Sequence, residues 1–263
     1  MKTPLLIDFD GTIRLGNYPA EDANEFLSFL KEKEIPSFII SNSTLKTSED
    51  VISFLKENNL PVVNAMTAAD AALSYVKENY KRVSVYCIDS IKKIFESSGI
   101  CRIDDNEPEA VVIGDIGDKW SYKIMNEIFS KVHNNADLIA MHKNKFWKPD
   151  GKTLALDAGT FISAIEYATS KEAVLIGKPS PIYFRTAIKM LGHSADSPFL
   201  MLGDDIETDI TASQQIGGKG ILIYTGKTKY PLPENYSPKP DYEAKNLIDV
   251  IKILERVYGL LPA

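Results

Sequence analysis

The sequence predicts an α/β protein: a Rossmann-like parallel-sheet core with an inserted α/β domain. Three observations carry that expectation. Short apolar runs alternate with segments whose apolar residues recur at helical spacing, the βαβα order of a parallel sheet with right-handed crossovers. Between about residues 81 and 171 that series is interrupted by a stretch with apolar runs of its own. Several runs also end abruptly in carboxylates, hydroxyls or a lysine, where an open parallel sheet gathers its ligands.

Taken in order, the first run is Pro4 to Ile7, and it stops at Asp8-Phe9-Asp10-Gly11-Thr12. Short apolar runs bounded by turn chemistry read as buried strands. A helix follows over 20–33, with Ala23, Phe26, Leu27 and Leu30 on one face. The next strand, 35–40, ends in Ser41-Asn42-Ser43-Thr44. Thr47 or Ser48 then caps a helix to about Asn58 with Val51, Ile52, Phe54 and Leu55 inward. A brief strand at 61–63 leads to a helix over 67–79. The middle stretch offers strands at 82–87, 110–113 and 137–141 and helices at 90–98 and 120–132.

The first series resumes with a strand at 173–176, then a helix over 181–191, a strand at 199–202, a helix over 206–216, a strand at 220–224 and a last helix over 247–258. Four prolines between Tyr230 and Pro240 make that segment a surface loop. The expected organisation is a discontinuous core, 1–80 and 172–263, with an inserted domain at 81–171.

Composition bounds the function. The chain has 263 residues, 44% of them hydrophobic and 25% charged, as in a soluble globular protein. A net charge of −6 argues against nucleic-acid or acidic-membrane binding over the whole surface. It allows an anionic substrate, because a metal and a lysine can reverse the local field. Cys87 and Cys101 have neither metal-ligand spacing nor a disulfide framework, and both read as small buried apolar residues. The first strand begins within four residues, leaving no room for a signal peptide, and no apolar run approaches the ~20 residues of a membrane helix. A cytoplasmic location is expected.

The polar residues at the strand ends carry the chemistry. Asp8 and Asp10 are two apart on an extended segment, so both side chains can face one small volume. Carboxylates that close repel unless a cation lies between them, and hard cations such as Mg²⁺ take oxygen ligands. The second strand end supplies Ser41 and Asn42, the third Gly177-Lys178-Pro179, and the fourth Gly203-Asp204-Asp205 followed by Thr208 and Asp209. Ends of one parallel sheet lie on one edge, so residues 8, 41, 178 and 204 are expected to converge.

That set suffices for phosphoryl transfer. A carboxylate attacks phosphorus, while Lys178, Ser41 and nearby N–H groups hold the phosphoryl oxygens. A cation between Asp8 and Asp204 neutralises the meeting of two anions, and Asp10 handles the leaving-group and water protons. Each piece alone also reads as a turn, a solvated lysine or a helix start. Their recurrence after four apolar runs favours catalysis.

Those motifs, DFDGT at 8–12, SNS at 41–43, GKPSP at 177–181 and GDDIETD at 203–209, resemble those of haloacid dehalogenase-like (HAD) hydrolases over nearly the whole chain. An insertion between the second and third motifs resembles the type IIA, NagD-like branch, as does TGK at 225–227. Within it, LIAMHKN at 138–144 and LALDAGTFISAIEYA at 154–168 are similar to the phospholysine phosphohistidine inorganic pyrophosphate phosphatase group.

The resemblance implies Asp8 as nucleophile, Asp10 as acid/base, and Ser41, Asn42 and Lys178 on the phosphoryl group. It implies Mg²⁺ on Asp8, the Asp10 carbonyl and Asp204, with Asp205 and Asp209 orienting water ligands or Lys178. The inserted domain is expected to act as a cap that excludes water from the phosphorylated aspartate, and a homodimer through the cap is expected too. Candidate specificity residues lie in His142 to Gly151, Asp157 to Thr160 and Asp115 to Trp120. His142 by itself reads more readily as an ordinary residue.

The expected function is a Mg²⁺-dependent phosphatase acting on a small phosphorylated compound. An inorganic pyrophosphatase or phosphoamino-acid phosphatase is the enzymatic alternative. A phospho-acceptor signalling module is an alternative of another class, and Asp10 and the insertion speak against it.

Overall fold

The computed structural model describes residues 2–99, 102–103, 106–147 and 153–260. The expected burial of Cys101, and the Lys148 to Gly151 part of the first specificity stretch, lie outside the described residues. The chain forms two compact units, one made of Met1–Ser41, Ser48–Met66 and Lys178–Ala263, the other of Asn42–Thr47 and Thr67–Gly177.

The first unit opens with β1 (Leu5–Asp8), a short hairpin of β2 (Arg14–Leu15) and β3 (Tyr18–Pro19), α1 (Ala23–Glu32), β4 (Ser37–Ser41), α2 (Ser48–Glu57) and β5 (Ala65–Thr67). The chain then builds the second unit. Its elements are α3 (Ala68–Asn79), β6 (Arg82–Tyr86), α4 (Asp89–Ser97), β7 (Arg102–Ile103), β8 (Ala110–Ile113), α5 (Tyr122–His133) and β9 (Asp137–Ala140). The hairpin β10 (Phe146–Trp147) and β11 (Ala155–Leu156), α6 (Ala158–Thr169) and β12 (Val174–Leu175) complete it. Back in the first unit come α7 (Pro181–Met190), β13 (Leu200–Gly203), a π-helical turn over Ile206–Thr211 and α8 (Ala212–Gln215). The last elements are β14 (Lys219–Ile223), β15 (Tyr242–Ala244) and α9 (Leu247–Val257).

The sheet of the first unit has the order β15-β14-β13-β1-β4-β5. β1 is paired in parallel on both sides, Ile7 facing Leu202 of β13 and Ile39 of β4. Every residue of β1 is buried, as a central strand covered on both faces requires. α1 buries Ala23, Phe26, Leu27, Phe29 and Leu30, and α9 buries Leu247, Val250, Ile253 and Leu254. Both helices join Leu5 and Ile7 in one apolar cluster. Burying each of these large side chains contributes roughly 1.5–3 kcal/mol. That cluster fixes β1, and with it the position of Asp8.

The second unit holds a five-stranded sheet in the order β12-β9-β8-β6-β7, parallel throughout. Val111, Ile113, Leu138 and Ala140 from its strands pack with Ile128 and Val132 of α5 and Ile162 and Ile165 of α6.

The strand read at 173–176 does not resume the first series. Val174 pairs with Ile139 and Leu175 with Ala140, so β12 is an edge of the second unit's sheet. The strand expected at 61–63 lies at 65–67, because Pro61 has no N–H to give a ladder and Val62 is exposed. Pairing there is led in by the Ile39 N–H donating to the Asn64 carbonyl at 2.8 Å. β15 and α6 carry no assignment in the sequence reading. Cys87 is buried, and burial pushes its thiol up to about 12. Among the described residues no helix is long and apolar enough to cross a membrane.

Candidate active site

β1, β4 and β13 run in parallel, so Asp8, Ser41 and Gly203 emerge at one edge of the first unit's sheet. Lys178 comes by another route. It begins the first unit's return segment just before α7, whose start is fixed by Pro181 and by Ser180 Oγ accepting the Ile182 N–H. Its Nζ donates to Asp8 Oδ1 at 2.5 Å and to Asp209 Oδ1 at 2.7 Å. All three side chains are almost fully buried.

Asp204 closes the cluster. Carboxylate oxygens of Asp8, Asp204 and Asp209 lie within 4.8 Å of one another. The loop after β14 clamps Asp204 from above: the Lys227 N–H donates to its Oδ2 at 2.5 Å and the Thr228 N–H to its carbonyl at 3.0 Å. Thr225 Oγ1 ties the same loop to the Gly11 carbonyl at 2.5 Å. Two glycines make room for this. Gly11 has φ of +94°, and a Cβ on Gly11 or Gly226 would collide with the Asp204 carboxylate.

The electrostatics follow from one ammonium facing three carboxylates. Burial raises the proton affinity of Asp8 well above the usual carboxylate range; Lys178 opposes this, while Asp209 and Asp204 add to it. Burial raises Asp209 likewise, against Lys178. Asp204 is pushed up to about 6 by burial and by Asp209. Burial alone would favour neutral Lys178, but Asp209 and Asp8 outweigh it and keep the ammonium charged.

This excess of buried negative charge, in oxygen ligands a few ångströms apart, fits a divalent cation. Asp8, Asp204 and Asp209 offer carboxylate oxygens close enough together to hold one.

Asp10 lies beside this cluster on the more exposed side. Its Oδ2 accepts from Ser41 Oγ at 3.4 Å, and its Oδ1 accepts from Arg14 Nε at 2.7 Å. Thr12 Oγ1 is 3.5 Å from Asp8 Oδ2. Asp205 faces elsewhere. Its Oδ1 caps the following turn, accepting the Glu207 N–H at 3.0 Å, and its Oδ2 pairs with Lys227 Nζ. Burial acts to raise Asp205, but Lys227 dominates and lowers it. Asp209, not Asp205, is the residue that touches Lys178. Asn42 follows Ser41 directly but groups with the second unit, where its Oδ1 crowds Gly177.

Tyr183, absent from the sequence reading, holds the end of β4. Its fully buried hydroxyl accepts the Ser41 N–H at 3.1 Å and lies 2.6 Å from the Ser41 carbonyl and 2.8 Å from that of Met66. Arg14, bound to Asp10, and Lys227, bound to Asp204 and Asp205, likewise have no role in the sequence reading. Only TGK at 225–227 marked the clamp loop in the sequence.

The specificity candidates lie within the second unit. His142 is buried, its Nδ1 accepting the Asn144 N–H at 3.1 Å and its Nε2 3.6 Å from Asp157 Oδ1. Burial lowers its proton affinity, against Asp157 and Asp115. Asp157 also caps α6 through the Ala158 N–H at 2.7 Å. Asp115 accepts the Gly117 N–H at 2.7 Å, Lys143 pairs with Glu166 at 2.7 Å, and Trp120 stacks on Phe161 at 4.2 Å.

The fold and the site together define a class: α/β proteins with a parallel-sheet core that carry a buried carboxylate–lysine cluster at the sheet edge. The particular family emerges from comparison. A haloacid dehalogenase-like hydrolase family model matches residues 5–101, and a HAD-hydrolase-like model matches 175–250. Haloacid dehalogenase-like hydrolase domain-containing protein 2 of Rattus norvegicus is 31% identical over 239 residues, covering 90% of this chain and 89% of the relative. Phospholysine phosphohistidine inorganic pyrophosphate phosphatase of Bos taurus is 30% identical over 88% of this chain and 84% of its own. The solved structure of p-nitrophenyl phosphatase from Archaeoglobus fulgidus superposes with a TM-score of 0.87 at 25% identity, covering 96% of this chain and 99% of that one.

The chain belongs to the haloacid dehalogenase-like hydrolase family, and its fold is similar to that of NagD from E. coli, with a TM-score of 0.82 at 22% identity, covering 94% of this chain and 97% of that one.

Proposed function

We propose that this protein is a Mg²⁺-dependent phosphatase that hydrolyses a small phosphorylated compound through an aspartyl-phosphate intermediate. The observation that carries this reading is Asp8 sharing Lys178 with Asp209 inside a three-carboxylate cluster. A buried carboxylate so placed is a nucleophile whose charge is held in one direction.

In the first half-reaction an Asp8 oxygen forms a bond to phosphorus and the ester P–O bond breaks. The leaving oxygen takes the proton of the Asp10 carboxylic acid. In the second, Asp10 takes a proton from water as that water attacks phosphorus, releasing phosphate and restoring both aspartates. Lys178 and Ser41 hold phosphoryl oxygens, and Tyr183 fixes the backbone that carries Ser41. Asp8, Asp204 and the Asp10 carbonyl would hold Mg²⁺, with Asp209 beside them. Bound there, the cation supplies the positive charge that lets an anionic ester approach a carboxylate.

The nitrophenyl phosphatase named above supports monoester hydrolysis, and the bovine relative's name favours inorganic pyrophosphate or a phosphoamino acid as a second reading. A substrate panel with purified protein separates them. Hydrolysis of phosphate monoesters that needs added Mg²⁺ is expected; activity confined to pyrophosphate or phosphoramidates would favour the second reading, and turnover unaffected by chelation would contradict the metal.

A further inference from the structure

Arg14 takes no part in the mechanism above, yet it is bound to the residue proposed to move both protons. Its Nε donates to Asp10 Oδ1 at 2.7 Å, and a terminal nitrogen pairs with the same oxygen. The backbone holds the two side by side. The Gly11 N–H donates to the Arg14 carbonyl at 2.8 Å and the Arg14 N–H to the Phe9 carbonyl at 2.9 Å. The guanidinium carbon also lies 5.1 Å from the Phe9 ring centroid and 5.9 Å from that of Phe54. Those rings pack edge to face at 5.4 Å.

An ion pair at a surface ordinarily contributes little, because two flexible side chains must be ordered to form it. Here the turn and the rings order Arg14 by themselves, and its side chain is 16% exposed against 46% for Asp10. Only Asp10 has freedom left to lose. With Oδ1 engaged by Arg14, Oδ2 is the oxygen that faces Ser41 Oγ.

We propose that Arg14 is a positioning residue for Asp10: by occupying Oδ1 it aims Oδ2 at the oxygen that leaves phosphorus. The assignment rests on the phosphatase reading and deepens it. In the step concerned, the Asp8–phosphorus bond forms, the ester P–O bond breaks, and its electron pair takes the proton from Oδ2. An alkoxide needs that proton. A 4-nitrophenolate, whose charge spreads into the ring, leaves without it.

The test compares kcat/KM for a primary alkyl phosphate and for 4-nitrophenyl phosphate, with Mg²⁺, in wild type, Arg14→Met and Arg14→Lys, alongside thermal melting. Arg14→Met keeps an apolar stem over the rings. It is expected to lower kcat/KM for the alkyl ester about 100-fold, the scale of a misplaced catalytic group. The nitrophenyl ester, which needs no proton in that step, should change by less than about threefold. Arg14→Lys should fall between wild type and Arg14→Met on the alkyl ester, and it provides the same readout should Arg14→Met not fold. Equal losses on both esters would reduce Arg14 to a structural residue and overturn the proposal, as would no loss on either. A wild type inactive on both esters would instead refute the phosphatase reading, and this assignment with it.

Discussion

Around Lys178, three buried carboxylates compete for one ammonium, and protons are the first way to relieve that excess. Asp204, pushed up to about 6, against about 3.9 for an unfolded aspartate, binds more protons folded than unfolded across that interval. Its contribution to metal-free stability is therefore present at low pH and lost as pH rises through about 6. Asp8 and Asp209 act in the same sense. Asp204→Asn should accordingly raise the metal-free melting temperature at about pH 7.5, raise it by roughly half as much at about pH 5, inside that interval, and abolish the rise that Mg²⁺ gives wild type. An unchanged Mg²⁺ response in that variant would remove Asp204 from the metal site. Asp8, Asp10, Lys178 and Asp204 were legible because a charge directly after an apolar run stands out. Arg14 was not, since a lone arginine reads as a solvated charge until the rings of Phe9 and Phe54 are seen beneath it. The buried hydroxyl of Tyr183 was hidden for the opposite reason: in an amphipathic helix, tyrosine passes for core.

Among the elements, α7 does more than cover the sheet. Through Tyr183 it fixes both the N–H and the carbonyl of Ser41 at the end of β4, and it reaches Met66 in β5. Tyr183→Phe leaves buried backbone groups short of a partner, which costs about 1–3 kcal/mol. The measurable consequence beyond a lower melting temperature is a raised KM for the phosphorylated substrate, because Ser41 is then held less firmly; a variant with unchanged KM would limit Tyr183 to stability. The strands of the first unit followed from their apolar runs, except at two places. β12 has the same composition as the core strands, and only its pairing with β9 shows which sheet it belongs to. β15 is three residues long, with one of them buried, after a proline-rich loop, so its sequence has no periodicity to read. Register and sheet membership are tertiary choices, and a local apolar pattern does not encode them.

For the whole molecule, family membership and the two-unit division bear on one central claim, that Asp8 becomes covalently phosphorylated. The residues of the proposed site are spread over the chain from 8 to 209, and parallel strands with right-handed crossovers bring their ends to a common edge. That much was legible from order alone, while the substrate was not, because the core binds what all phosphate esters share. The direct test uses Asp10→Asn, in which attack on phosphorus remains and water activation is impaired by about 10²–10⁴. Mixed with Mg²⁺ and 4-nitrophenyl phosphate, quenched in acid and mapped by mass spectrometry, it should carry one hydroxylamine-labile phosphate on Asp8, absent from Asp8→Asn. Phosphate on another residue, or undiminished hydrolysis by Asp8→Asn, would contradict the account.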